Sequence, residues 1–250
     1  GSAYGLDAAG GVQGWLREQG RGYPAPPHRI PIVPTAILFD LRGGGNKDWG
    51  RFSPYRDLGY QAVSQASATS PLGRVGAATG ARTATTPGGL GIATETVDRV
   101  PGCEVTAIVA VNAFGSPLIG RTRHFWAAPF EVGAEFGGYG LPPVWPSDAL
   151  EVRTKAAYNE HTNTTLGCVI TNARLSTMQA KRLAVMAHDG FARALYPVHT
   201  PADGDLIFAM STGHIDIDSS VMVHLGTAAA RATSRAIAIG VFNALQQETE

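Results

Sequence analysis

The residues with the most chemical potential in this chain are Asn163, Thr164 and Thr165, which open an apolar, β-branched run over 166–170 closed by Thr171 and Asn172. They admit two readings. One is a threonine-rich strand start. The other makes Thr164 a nucleophile whose α-amine is freed by cleavage after Asn163. An N-terminal threonine carries its own base, because the hydroxyl attacks and the α-amine takes the proton. That amine has a reference pKa of about 7.7–8.0, far better matched to neutral pH than lysine at about 10.4. Since position 164 is internal, the site must first be made. The Thr164 hydroxyl attacks the Asn163 carbonyl, and water opens the resulting ester.

Other side chains could serve this chemistry. Asp203 and Asp205 flank Gly204 and could orient a cationic amine or take up a proton; the alternative is a turn with solvated acids. Asn112 ends an apolar run, where an amide donor could stabilise an oxyanion or simply form a turn. Tyr4 has the same standing as a second donor. His199 lies near the acidic pair, and His161 could act only before cleavage. The glycine-rich stretch 73–80 could cradle a phosphate, but it lacks the Gly-Lys-Ser/Thr of a P-loop. Ser211 is not in a Gly-x-Ser-x-Gly elbow. Cys103 and Cys168 belong to no CxxC pair, so buried free thiols are expected and a zinc site is not.

These residues need a scaffold. The 250-residue chain is 44% hydrophobic, which suffices for one large core or two smaller ones. It is 16% charged with zero net charge, which excludes a basic nucleic-acid footprint. No apolar run reaches the roughly 20 residues of a membrane span, and no basic-then-apolar leader opens the chain. Periodicity predicts helices over 3–16, 55–66, 177–195 and 219–245, the third capped by Ser176 with Gln179 three residues on. Strands are expected over 30–41, 92–100, 103–111, 164–173 and 206–210, with a returning strand from Leu118. The glycines of the first helix cost about 1 kcal/mol each, which suggests close packing against another element. Residues 121–163, rich in Gly and Pro, form the long irregular segment that would expose the bond before Thr164.

In order along the chain, Gly1 to Ala8 (Gly-Ser-Ala-Tyr-Gly-Leu-Asp-Ala), Val111-Asn112, Asn163-Thr164-Thr165 with 169–174, and 199–209 around Asp203-Gly204-Asp205 resemble the self-processing hydrolases of the L-aminopeptidase/D-esterase (peptidase P1) type. That family includes β-aminopeptidases and the nylon-oligomer (6-aminohexanoate-oligomer) hydrolases. The resemblance spans essentially the whole chain, and its Asn-Thr-Thr and Asp-Gly-Asp pieces are the specific ones.

The resemblance implies an α+β fold, a four-layer αββα sandwich of the N-terminal-nucleophile type. Residues 1–163 would be an α fragment and 164–250 a β fragment, together one domain. It further implies homotetramers of αβ units, no cofactor or metal, no nucleic-acid or membrane partner, and a cytoplasmic location. Thr164 would be the nucleophile, with Asp203, Asp205, Asn112 and Tyr4 around it. Threonine rather than serine at 164, with the acidic pair, resembles the nylon-oligomer branch. The lysine that the family carries nearby falls at Pro87, leaving proton transfer to Asp203, Asp205 or the α-amine. The implied activity is hydrolysis of linear amides, such as 6-aminohexanoate oligomers or related peptides, through an acyl-enzyme on Thr164. The alternatives are aminopeptidase or β-aminopeptidase action, acyl transfer of the ornithine acetyltransferase kind, and a non-catalytic ligand-binding protein with the same fold.

Overall fold

The computed structural model describes residues 2–41, 44–155 and 163–249; Gly1 and His161 lie outside them. The chain forms two compact units, Gly1–Ser70 and Pro71–Glu250. They meet well before the Asn163–Thr164 bond, and strands from both sides of that bond share one sheet.

In the first unit a 3-10 turn, Ser2–Leu6, leads into α1 (Asp7–Glu18). A short hairpin follows, β1 (Tyr23–Ala25) with β2 (His28–Ile30), and then α2 (Tyr55–Ser64). The glycines of α1 meet the expectation of close packing. A Cβ at Gly11 would lie 1.9 Å from the Arg56 carbonyl oxygen, and one at Gly59 2.2 Å from that of Ala8. Each helix thus admits the other's backbone. The strands expected over 30–41 are absent. Past Ile30 the chain has no regular structure, Pro31 and Pro34 lack ladder donors, and Ile32 is exposed.

The second unit is built on a four-stranded sheet of order β3-β4-β5-β6: β3 (Gly89–Thr96), β4 (Glu104–Val111), β5 (Leu166–Ala173) and β6 (Leu206–Ile215). The first two pairings are antiparallel and β5–β6 is parallel. A parallel pair needs a crossover, which α3 (Thr177–Ala187) and α4 (Asp189–Ala192) supply. The Ser176–Gln179 capping box forms as expected. After a 3-10 turn at Ser219–Val221, α5 (Met222–Thr249) lies across β3 and β4. It approaches so closely that a Cβ at Gly91 would lie 1.8 Å from the Ala236 oxygen, and one at Gly89 2.0 Å from that of Gly240. Val105, Val109, Val111 and Val169 on the sheet bury against Phe191, Leu225, Ile237 and Val241 on the helices. On the opposite face Ile92, Ile108, Cys168 and Ile170 are only half-buried. Arg235 is clamped beneath the helix layer by Glu95 and Glu135, each at 2.6 Å.

Some expectations shift. The strand expected from Thr164 begins at Leu166, β6 runs on to Ile215, and Leu118 makes only an isolated bridge to Phe125. The 73–80 stretch is not an open phosphate cradle. Gly73 pairs with Leu90, and the Arg74 amide donates to Gln247 Oε1 of α5 at 2.7 Å. Cys103 is a buried free thiol, as expected, whereas Cys168 is only half-buried. No helix among the described residues is long and apolar enough to cross a membrane. The chain is α+β, a helical layer packed on a sheet in its larger unit.

Candidate active site

The site forms where three strand ends converge. β4 delivers Asn112 directly after Val111, buried to 2% exposure. Asn163 and Thr164 stand just ahead of β5, and Asp203, Gly204 and Asp205 just ahead of β6. The parallel β5–β6 ladder extends backwards beyond both named strands. Leu206 N–H donates to Thr165 O at 3.1 Å, Gly204 N–H donates to Asn163 O at 2.7 Å, and Asn163 bridges to Asp203. From the other side, Thr164 N–H donates to Asn112 O at 3.1 Å. Both faces of the Asn163–Thr164 peptide are therefore held, its carbonyl by β6 and its amide by the end of β4.

The acidic pair is not a solvated turn. Asp203 accepts from Phe114 N–H at 3.2 Å through one oxygen, and from the Thr200 amide (2.8 Å) and hydroxyl (2.9 Å) through the other. Burial pushes its carboxyl above the ordinary range, and the charge of Asp205 adds to this against those hydrogen bonds. Asp205, its side chain only 3% exposed, accepts from Thr165 N–H at 2.8 Å and pairs with His199 Nδ1 at 2.9 Å. That hydrogen bond raises the His199 pKa. His199 Nε2 in turn meets His188 Nδ1 at 3.3 Å. Burial lowers the His188 pKa, and His199 adds to the fall. The two carboxylates thus anchor the backbone on either side of Gly204.

Gly204 itself is exposed, and its φ lies outside the left-handed region. A Cβ there would lie 2.6 Å from Thr164 Oγ1, so the hydroxyl keeps its present position only opposite a glycine. Lys155 supplies a cation that sequence reasoning missed. Its Nζ donates to Asn112 Oδ1 at 3.1 Å and to Asn112 O at 3.3 Å, the same carbonyl that holds Thr164 N–H. Burial lowers its pKa to about 7, against the pull of Asp203 and with help from Arg82. Arg82 N–H also donates to Asn112 Oδ1, at 3.1 Å.

Of the residues expected from sequence, Asn112, Asn163, Thr164, Asp203 and Asp205 come together. Tyr4 belongs to the first unit, where it is exposed and packs edge-on against Trp49 at 5.8 Å. Pro87, where the resemblance put a family lysine, bridges to Arg82. Lys155 sits inside the irregular 121–163 segment, where no local pattern marks it. Gly204 was visible only as a turn glycine between two acids. Among the described residues no cluster of His, Cys, Asp or Glu is placed to hold a metal ion.

A model of peptidase family S58 matches residues 1–250. An uncharacterized aminopeptidase of Mycobacterium tuberculosis is 37% identical over 258 residues, covering 98% of this chain and 72% of the relative. A 6-aminohexanoate-oligomer endohydrolase of Agromyces sp. is 27% identical over 249 residues, covering 96% of this chain and 65% of the relative. Among solved structures, the L-aminopeptidase D-Ala-esterase/amidase of Ochrobactrum anthropi, described as a variant of the Ntn hydrolase fold, superposes with a TM-score of 0.62 at 18% identity. This chain spans 63% of that structure.

Proposed function

The chain belongs to peptidase family S58 and is an amide hydrolase, and on that premise we propose that it cuts itself between Asn163 and Thr164 and then works through Thr164 as an N-terminal nucleophile. The observation that carries this reading is the two-sided hold on the Asn163–Thr164 peptide, by Gly204 N–H and Asn112 O.

Once freed, the Thr164 nitrogen stays beside Asn112 O, which orients it as the base for its own hydroxyl. Lys155, on the same carbonyl and near its titration point at neutral pH, disfavours a second positive charge on that amine and so keeps it a base. Thr164 Oγ1 then attacks a substrate amide, the amine leaves with a proton, and water releases the acid from the ester on Thr164. Asp203 and Asp205 act by holding backbone, since their hydrogen bonds are spent on Phe114, Thr200, Thr165 and His199. Asn112 fixes the amine end through its backbone carbonyl, while its side-chain oxygen accepts from Lys155 and Arg82.

The substrates are linear amides: 6-aminohexanoate oligomers or related peptides, the activity of the Agromyces relative. The higher identity to the mycobacterial protein favours a second reading, removal of amino-terminal residues from peptides. Intact mass and a denaturing gel test the mechanism. Two fragments, the smaller beginning at Thr164, are expected, and a single chain in the inactive Thr164→Ala variant. Amidase activity retained by Thr164→Ala refutes it. A panel of aminoacyl, β-aminoacyl and 6-aminohexanoyl amides, with and without an amine acceptor, separates oligomer hydrolysis, aminopeptidase action and acyl transfer. Assembly as homotetramers of cleaved αβ units belongs to the same reading and is measured by light scattering.

A further inference from the structure

Self-cleavage needs a group that stabilises charge on the oxygen of Asn163. When Thr164 Oγ1 adds to the Asn163 carbonyl carbon, the C=O π pair moves onto that oxygen. As the adduct collapses, the C–N bond to Thr164 breaks and the hydroxyl proton ends on the departing amine. The Oγ1–C ester remains. Water then adds to it, the C–Oγ1 bond breaks, and Asn163 is left with a carboxylate and Thr164 with its hydroxyl. An oxyanion at Asn163 thus arises twice.

We propose that the backbone N–H of Gly204 is the oxyanion donor of this self-cleavage. The inference rests on the reading that the Asn163–Thr164 bond is cut. Gly204 N–H already stands 2.7 Å from Asn163 O in the uncut chain, within the range for a donor aimed at a developing oxyanion. A hydrogen bond of this kind strengthens as its acceptor becomes charged. The donor is held before the reaction begins. Asp203 is fixed by Phe114 and Thr200 on one side of Gly204, and Asp205 by Thr165 and His199 on the other.

The absence of a side chain belongs to the same device. Gly204 has a backbone conformation open to any residue, yet a Cβ would press on Thr164 Oγ1 at 2.6 Å while lying 3.7 Å from Asn163 O. Nucleophile, scissile carbonyl and donor therefore share one small space, and a Cβ at 204 would turn the Thr164 hydroxyl out of it. The Asp203-Gly204-Asp205 motif reads as an oxyanion donor between two anchors rather than as a pair of proton carriers.

The competing account makes this bond an ordinary rung of the parallel ladder, contributing to stability alone. The two accounts separate when only the N–H is removed. The full chain is made by in vitro translation with glycolic acid at position 204, so that an ester replaces the Asp203–Gly204 amide. Fragment formation is then timed on denaturing gels beside the unmodified chain. The expected result is cleavage slowed about a hundredfold or more, in a chain that keeps a cooperative thermal transition. Cleavage within about threefold of the unmodified rate, with a lowered Tm, establishes the ladder role and overturns the proposal while leaving self-cleavage intact. An unmodified chain that never cuts overturns the self-cleavage reading, and the donor role with it. Should the ester chain fail to fold, hydrogen exchange in the Thr164→Ala chain decides. The Gly204 amide must be protected despite the exposure of its residue, and exchange at the rate of a free amide overturns the proposal.

Discussion

Replacing Lys155 with methionine should abolish a rise in stability with pH. The side chain is half-buried with its Nζ on Asn112, and burial lowers its pKa from the ordinary 10.5 to about 7. The folded chain therefore gives up this proton near pH 7, whereas the unfolded chain holds it to about 10.5. Unfolding takes up a proton between those values, so stability rises with pH across that window. A fall of about 3.5 pH units at about 1.4 kcal/mol each makes the full effect on the order of 5 kcal/mol, with a slope of at most about 1.4 kcal/mol per pH unit. Methionine keeps the volume and removes the charge, so Lys155→Met should be the more stable chain at pH 6. By pH 10 that advantage should be gone, because neutral lysine no longer holds a charge out of water and still donates to Asn112, whose Oδ1 and O keep Arg82 N–H and Thr164 N–H in either chain. The assay is urea unfolding at pH 6 to 10 of both chains in a Thr164→Ala background, where a single uncut polypeptide is expected to unfold. A stability difference that stays constant across this range would refute the placement of Lys155 in a desolvated pocket.

Three further outcomes test the scaffold and the rim of the site. Gly91→Ala should lower stability by about 1–3 kcal/mol or more in thermal unfolding, because its Cβ would meet the Ala236 carbonyl at 1.8 Å. Ser176→Ala removes the acceptor for the Gln179 amide and should cost about 1 kcal/mol by urea unfolding, with no change in the rate of self-cleavage. His199 has its pKa raised by its hydrogen bond to Asp205, so its contribution is complete below the ordinary value near 6.5 and is lost as pH rises through the folded one. In a Lys155→Met background, where the opposing rise is gone, stability should fall above about pH 6.5 and His199→Gln should remove that fall; a Lys155→Met profile with no such fall would show that the pair contributes nothing.

Local signals carried some of this architecture. The Ser176–Gln179 capping box closes on its own backbone, and its helix starts where the residues say, although the run expected to 195 breaks at His188 and ends at Ala192. β4 is the apolar, β-branched run expected there, because both of its neighbours are strands and one face is buried. Where the deciding contact is distant, the reading failed. Residues 30–41 have strand composition, but their prolines withhold donors and past Ile30 the stretch pairs with no strand. β6 runs five residues past its apolar stretch, to Ile215, because pairing with β5 rather than hydrophobicity sets its length. The glycines of α1 announced a close contact without naming Arg56 as the partner.

The candidate site divides along the same line. The sequence by itself singled out Thr164 as the candidate nucleophile, with the bond before it and the Asp203-Gly204-Asp205 motif, because reactive groups are a matter of residue type and order. Only the tertiary structure decided what those groups touch. The acids are spent on backbone amides, which makes them anchors. Lys155, from the irregular segment, shares a carbonyl with Thr164. Gly204, with no side chain to read, presents its amide to the Asn163 carbonyl. Backbone donors and long-range burial leave no mark on composition or spacing. They exist only once β4, β5 and β6 have brought their ends together.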